Sequence, residues 1–364
     1  MVRTVNTYLN IRTGSPLTTA PIYNYLSPGD LVEIEEVVIG TSLEGNNIWF
    51  QEKATINSLW SGGFESPFEW YIQDFGINEL WKYSKGENVT IILIDSGISY
   101  CPDLANTAIK KVSMLSDNGE DETGHGTLMA SIIAGKGSDI MGTAPQSSII
   151  SIKIFSEESS VGGSEASKSN LPNFVKALEY VKKSIDRETT YIVNCSLSVK
   201  AGNSEDNDIK RLIEDISTNY KVTFVCAVGN DSGETKDFIP ASFTNVISVA
   251  GICIRENNTY KRLYESNYWP EITITCLGEF NSSYLKERYA SLYRRNGSSH
   301  ACAYTSGVIS ILLSYNLKKS KKLKANEVMT FLKTSSFATT NTNKYAYIDN
   351  VFSKDLLLKN FLTI

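Results

Sequence analysis

Four polar residues stand in frames of small residues, and their types suit nucleophilic and acid–base chemistry. Ser299, in "NGSSHACAYTSG", precedes an apolar stretch that reads as a helix. A helix N-terminus carries free N–H groups and the positive end of the helix dipole, which suits an oxyanion beside a nucleophile. The same position suits a plain helix cap, because a Ser oxygen accepts an orphan N–H there. His125, in "DETGHGTLMASIIAG", opens another predicted helix between Gly124 and Gly126. Those glycines remove bulk where a second chain segment approaches. A cap or turn is the alternative role for His125. The only other histidine is His300, so a His-dependent mechanism has two candidates. Asp95 closes the apolar run "VTIILID", and Asn230 closes "FVCAVGN". In open α/β sheets, sites collect beyond the carboxyl ends of strands, where both residues fall. Asn230 could aim an amide N–H at a developing oxyanion, worth roughly 3–4 kcal/mol in a transition state. Asp and Asn are also common turn formers.

Such side chains act together only if regular elements hold them. From residue 89 onward, apolar runs alternate with amphipathic ones. "VTIILID", "IISIKIF", "YIVNCSL", "VTFVCAVG" and "VISVAGI" read as strands. "GHGTLMASIIAG" reads as a helix closed by Gly135. "NFVKALEYVKKSID" has Phe174, Ala177, Leu178 and Val181 on one helical face, and "DIKRLIEDISTNY" is similar. A long helix after Ser299 and a last one, "KANEVMTFLKTSS", complete the set. The alternation predicts an α/β fold: a mostly parallel central sheet with helices on both faces. Residues 1–66 differ. Short alternating stretches ("TVNTYLNI", "PIYNYL", "DLVEIEEVVIG", "NIWFQE") separated by "TGSP", "SPGD" and "EGNN" predict a small β-barrel. Residues 67–88 then link it to the region 89–364, and Trp70 and Trp81 in that link are expected to pack on the larger region. The polar stretches 157–170 and 199–207 are the expected nick sites for proteolysis.

Composition narrows the function classes. The chain has 364 residues, 21% of them charged and 41% hydrophobic, an ordinary globular balance. A net charge of −5 argues against a nucleic-acid partner, whose phosphates need Lys and Arg. No run of about 18 apolar residues exists, so no membrane partner is expected. "MVRTVNTYLNIRTG" lacks the apolar core of a signal peptide. The six cysteines, Cys101, Cys195, Cys226, Cys253, Cys276 and Cys302, form no C-x-x-C pair. Several lie in apolar runs and read as reduced core residues, which points to the cytoplasm. Two histidines are too few for a His-rich metal site, and no cofactor is expected.

Asp95, His125, Asn230 and Ser299, in this order and in these frames, resemble the subtilisin-like serine peptidases. The blocks that carry the resemblance are "VTIILIDSGI", "CPDL", "GHGT", "GTAP", "VNCSL", "AVGN", "IPAS", "NVISVAG", "SNYWPE" and "NGSSHACAYTSG". The resemblance implies a subtilisin-like three-layer fold and a serine endopeptidase acting on a protein or peptide substrate. It makes Ser299 the nucleophile, His125 the general base and then acid, and Asp95 the residue that orients the imidazole. It gives the oxyanion to Asn230 and the Ser299 N–H. It also makes Ser196, Leu197 and Ser198, with Ala227, Val228 and Gly229, the walls of the substrate cleft, where an extended peptide would pair as an added strand. "LNIRTG", "SPGDLVEI" and "IWF" resemble a bacterial SH3-like module, which implies that residues 1–66 regulate the peptidase or recognise a partner.

The chain departs from the family pattern in a few places. His300-Ala301-Cys302-Ala303-Tyr304 follows Ser299, where the family shows Met-Ala-Ala-Pro-His. His300 is expected to point away from the nucleophile, because adjacent residues do not share a helix face. Cys101 stands before "PDL" in place of a common His, and Ser198 replaces a usual Gly, which would narrow a subsite. "GKGSD" offers few side-chain oxygens for the calcium that relatives often hold nearby. Asp231, if it lines the rim of the specificity pocket, would favour Lys or Arg in the substrate. The alternative to an active peptidase is a catalytically silent scaffold of the same fold that binds peptides or protein partners. Four positions filled with the required types favour the enzyme. An esterase would carry a G-x-S-x-G elbow, which "GSSHA" is not.

Overall fold

Alternating stretches near the N-terminus and continuous apolar runs further on build two different kinds of sheet. The computed structural model describes residues 2–4, 9–13, 22–26, 31–43, 46–52, 59–63, 72, 75–137, 141–156, 170–220, 222–255, 259–263, 265–268, 272–282, 293–337 and 350–364, with backbone only before residue 64 and at 253–255, 259–262, 280–282 and 293–295. Trp70 and the insertion 157–169 lie outside the described residues. The chain divides into two units, Met1–Tyr71 and Ile72–Ile364.

The first unit holds six strands: β1 (Val2–Thr4), β2 (Leu9–Thr13), β3 (Ile22–Leu26), β4 (Leu31–Leu43), β5 (Asn46–Glu52) and β6 (Leu59–Gly63). They form one sheet in the order β1-β4-β5-β6-β2-β3, paired antiparallel throughout. The β-branched run of β4 faces the aromatic run of β5, with Val37 opposite Phe50 and Val38 opposite Trp49. β-Branched and aromatic residues suit that pleated surface.

The second unit opens with α1 (Ile77–Leu80), which buries Ile77 and Leu80. Just after it, Trp81 Nε1 donates to the Thr143 carbonyl at 2.8 Å, so this part of the expected link packs within the second unit. Then follow β7 (Val89–Asp95), β8 (Ile109–Ser113), α2 (His125–Ala134), β9 (Ser148–Lys153), α3 (Leu171–Ser184) and β10 (Thr190–Cys195). Next are β11 (Val199–Lys200), α4 (Asp206–Asn219), β12 (Thr223–Ala227), β13 (Phe238–Ile239), β14 (Ile247–Arg255) and β15 (Thr259–Arg262). The chain ends with β16 (Ile274–Leu277), β17 (Glu279–Ser282), β18 (Tyr293–Asn296), α5 (Ser298–Lys318), α6 (Ala325–Thr334), β19 (Ser336–Phe337), β20 (Val351–Phe352) and α7 (Lys354–Phe361). The main sheet runs β19-β20-β16-β14-β12-β10-β7-β9-β8, with β15 added beside β14. Its pairs are parallel except for β15 and β19.

The predicted alternation thus folds as helices on both faces of a mostly parallel sheet. On one face, Ile92, Ile94, Val193, Cys195, Phe224 and Cys226 pack against Phe174, Leu178 and Val181 of α3 and Ile209, Ile213 and Ile216 of α4. Each large apolar side chain buried this way contributes roughly 1.5–3 kcal/mol. The opposite face carries α2 and α5. Residues 199–200, expected within a nick site, form β11 and pair with β13. No helix among the described residues is long and apolar enough to cross a membrane.

Candidate active site

Strand alternation turns Ile91, Leu93 and Asp95 toward the face that carries α2 and α5. Asp95, the last residue of β7, is 1% exposed. Its Oδ1 accepts from the Ser96 N–H at 2.7 Å and the Ser96 hydroxyl at 3.2 Å, and lies 2.7 Å from His125 Nδ1. A carboxylate can only accept, so Nδ1 carries the proton and the neutral ring keeps a lone pair on Nε2. Asp95 Oδ2 is buried and has no hydrogen-bond partner among the described residues. His125 is the first residue of α2, and Gly126 explains how that helix comes so close to β7. A Cβ at position 126 would stand 2.2 Å from the Gly97 carbonyl oxygen and 3.2 Å from Asp95 Oδ1.

A residue that sequence reasoning missed shapes the approach to His125. Asp121 is buried, and its Oδ1 accepts from the Ser96 hydroxyl, from the N–H and hydroxyl of Thr123, and from the Gly124 N–H. Its Oδ2 accepts from the N–H and hydroxyl of Thr127 at 2.9 and 2.7 Å. One carboxylate thereby ties the end of β7 to the first turn of α2. The buried Lys153, ending β9, supports the same loop: Nζ donates to the Glu120 carbonyl at 2.8 Å and meets Asp117 at 2.8 Å and Glu122 at 3.5 Å. Burial pushes the Asp117 carboxyl up, but hydrogen bonds from Lys153, Ser113 and the Gly119 N–H bring it below its ordinary value.

Ser299 is the second residue of α5 rather than its cap; Gly297 takes the cap position. Its hydroxyl donates to the Ser196 carbonyl at 3.1 Å. Asn230 is exposed at the end of the β12 segment, and its Oδ1 accepts the Ser298 N–H at 2.9 Å. That bond fixes the amide so that Nδ2 remains the outward donor. The two wall segments differ. Ser196 bonds through its hydroxyl to Asn194 Oδ1 at 2.8 Å and to the Ser299 carbonyl at 3.2 Å, and Leu197 is buried. In the other wall, Ala227 and Val228 are buried, and the N–H groups of Val228 and Gly229 go to the Val249 carbonyl and the Ser298 hydroxyl. The backbone N–H groups of Val228 and Gly229 are thus engaged within the protein. Gly229 has a left-handed φ of 100°, which a glycine adopts without strain. Asn267, missed in sequence although it lies in "SNYWPE", braces the turn. Its Nδ2 donates to the Val228 carbonyl at 2.8 Å, and its Oδ1 accepts the N–H groups of Asp231 and Gly233.

His125, Ser299, Asn230, Asn296, Gly297 and His300 line a cleft of about 240 Å³. His300 corrects the expectation drawn from helix faces. Its ring lies 6.5 Å from that of His125, centroid to centroid, at an interplanar angle of 84°. The first turn of α5 buries Ser298, Ser299 and His300 alike, so no side of it is an outer face. Asp231 is exposed, with its N–H held by Asn267. Behind the cleft, Asn194 Nδ2 donates to Ser306 Oγ at 2.9 Å and to Cys302 Sγ at 3.3 Å. Cys101, Cys195, Cys226, Cys276 and Cys302 are buried and unbridged, and burial pushes the Cys276 thiol up to about 12. The side chain of Cys253 lies outside the described residues.

A sequence model of the Subtilase family (Peptidase_S8) matches residues 86–353. That is more than half of the chain, and the chain belongs to the Subtilase family. It is 26% identical over 251 residues to the Minor extracellular protease Epr of Bacillus subtilis (strain 168), covering 67% of this chain and 35% of that protein. It is also 26% identical over 232 residues to the Thermostable alkaline protease of Halalkalibacterium halodurans, covering 63% of this chain and 58% of that protein. The chain thus spans between about a third and three fifths of the length of these relatives. Among solved structures, the prenylagaramide maturation protease PagA superposes with a TM-score of 0.61 at 21% identity, covering 79% of this chain and 98% of that one. The A-subunit of the AB5 toxin from E. coli superposes with a TM-score of 0.61 at 20% identity, covering 80% and 99%. These likenesses establish the subtilisin-like α/β fold.

Proposed function

We propose that this chain is a serine endopeptidase that works through Asp95, His125 and Ser299, with Asn230 in the oxyanion hole. The observation that carries the reading is the 2.7 Å contact of Asp95 with His125 Nδ1, made while His125 and Ser299 line one cleft. With Nδ1 engaged, His125 Nε2 is the atom available to take the Ser299 proton. Ser299 Oγ attacks the scissile carbonyl, and the proton then passes from His125 to the leaving amine. The second Asp95 oxygen, without a hydrogen-bond partner, leaves negative charge beside the imidazolium that forms. The Ser299 N–H belongs to the helix turn whose donors lack intrahelical partners, and with Asn230 Nδ2 it would hold the oxyanion. The Ser299 hydroxyl rests on the Ser196 carbonyl. A substrate N–H that takes this carbonyl would release the hydroxyl toward His125. No cofactor enters these steps.

The antiparallel first unit supports its reading as an SH3-like module that recruits a protein partner or substrate. Buried, unbridged cysteines support an intracellular setting. Hydrolysis of an unfolded protein such as casein tests the reading. The wild type should turn it over, and Ser299→Ala should lower kcat by about 10⁶-fold, a scale drawn from subtilisin itself. Equal turnover by the two proteins would remove Ser299 from the mechanism. In the same assay, residues 72–364 alone should lose kcat/KM on the recruited protein but not on a short peptide; equal values on both would reject recruitment.

A further inference from the structure

The two wall segments continue neighbouring parallel strands. Residues 196–198 extend β10 and residues 228–230 extend β12, and the strands are still in register at Cys195 and Cys226. Beyond that point 199–200 turn away to pair with β13, leaving a crevice between the segments. Ser299 stands at the mouth of this crevice, with its hydroxyl on the Ser196 carbonyl. On the peptidase reading above, the attacked carbonyl lies over Ser299 Oγ with its oxygen toward Asn230. The side chain next to that carbonyl, on the N-terminal side of the scissile bond, then projects toward the crevice.

Ser198 spans it. Its Oγ donates across to the Val228 carbonyl at 3.2 Å. A Cβ built on Gly229 would meet Ser198 Oγ at 2.7 Å, Ser198 Cβ at 3.0 Å and Asn267 Nδ2 at 2.6 Å. No further atom fits between the walls at the depth of this bridge, which leaves room only for the first atoms of a side chain above it. The Val228 carbonyl also accepts from the buried Asn267, so the far wall cannot retreat without breaking that bond. The geometry points to Ser198 as a specificity-determining residue that restricts the side chain preceding the scissile bond to those of Gly, Ala or Ser.

The test uses the full chain and two peptidyl phosphonates, with Ala or Phe next to the reactive phosphorus, and a plain fluorophosphonate as reference. Wild type should react about tenfold or more faster with the Ala probe, the usual scale of steric discrimination in a pocket. Ser198→Gly removes the bridge and should bring the ratio near one or reverse it. Ser198→Ala keeps Cβ and drops only the hydroxyl, so an intermediate ratio is expected. Equal or faster reaction of wild type with the Phe probe overturns the inference, as does a ratio unchanged in both variants. Preference for a Lys or Arg probe over Ala overturns it too and returns the pocket to Asp231. Folded wild type inert to all probes, the fluorophosphonate included, refutes the peptidase reading and this inference with it. Reaction with fluorophosphonate but no Ala preference refutes the inference alone.

Discussion

Asp121 accepts from the Ser96 hydroxyl, both donors of Thr123, the Gly124 N–H and both donors of Thr127 while buried. Truncating it orphans several donors in a low-dielectric site, which is costly. Asp121→Ala should lower unfolding stability by about 3 kcal/mol, read as a lower urea midpoint with unchanged slope. It should also slow modification of Ser299, because His125 loses the turn that aims it. A change within about 0.5 kcal/mol would contradict this account of the loop. Asp95, His125, Asn230 and Ser299 are readable in sequence because each ends an apolar strand or opens a helix in a small-residue frame. Asp121 and Asn267 leave no such mark, since their work is to bond the polar groups of turns. Their bonds follow from chain geometry, not from periodicity. His300 is misread for a different reason: the rule that adjacent residues face apart separates core from solvent only on a helix with an outer face.

At the scale of elements, α5 is buried nearly all round, and three of its serines each meet a polar partner. Ser310 meets Ser147 at 2.7 Å, Ser306 meets Asn194 at 2.9 Å, and Ser314 donates to Glu87 at 3.1 Å. Glu87 joins the entry to β7 to the end of this helix. Burial pushes its carboxyl up, but hydrogen bonds from Ser84 and from backbone N–H groups, with the Lys318 charge, bring it from 4.5 to about 2. A depressed carboxylate stabilises the fold above its unfolded pKa, and that contribution is lost as pH falls through the folded value. The wild type should therefore lose more Tm than Glu87→Gln between about pH 5 and pH 2. Parallel melting curves for the two proteins across that range would show that Glu87 carries no such linkage. The amphipathic helices α3 and α4 are legible because one face of each is apolar. The two-residue strands β11, β13, β19 and β20 are not, because so short a segment shows no period.

At the scale of the whole molecule, the short alternating stretches of the first unit read as a small β-barrel and the continuous runs of the second as a mostly parallel sheet; the first unit carries one six-stranded antiparallel sheet and the second the mostly parallel one. Pairing order is the part that sequence leaves out. The place of β8 beyond β9, or of β20 beside β16, depends on contacts between distant segments. That order is also what brings the ends of β7, β10 and β12 next to the starts of α2 and α5, so the cleft is a property of the topology. The central claim is that this convergence makes Ser299 a nucleophile. Treatment of the full chain with a fluorophosphonate at neutral pH, followed by intact mass and peptide mapping, tests it most directly. The account predicts a single adduct, mapped to Ser299 and absent from Ser299→Ala. No adduct on the folded wild type, or the same adduct on Ser299→Ala, would contradict it.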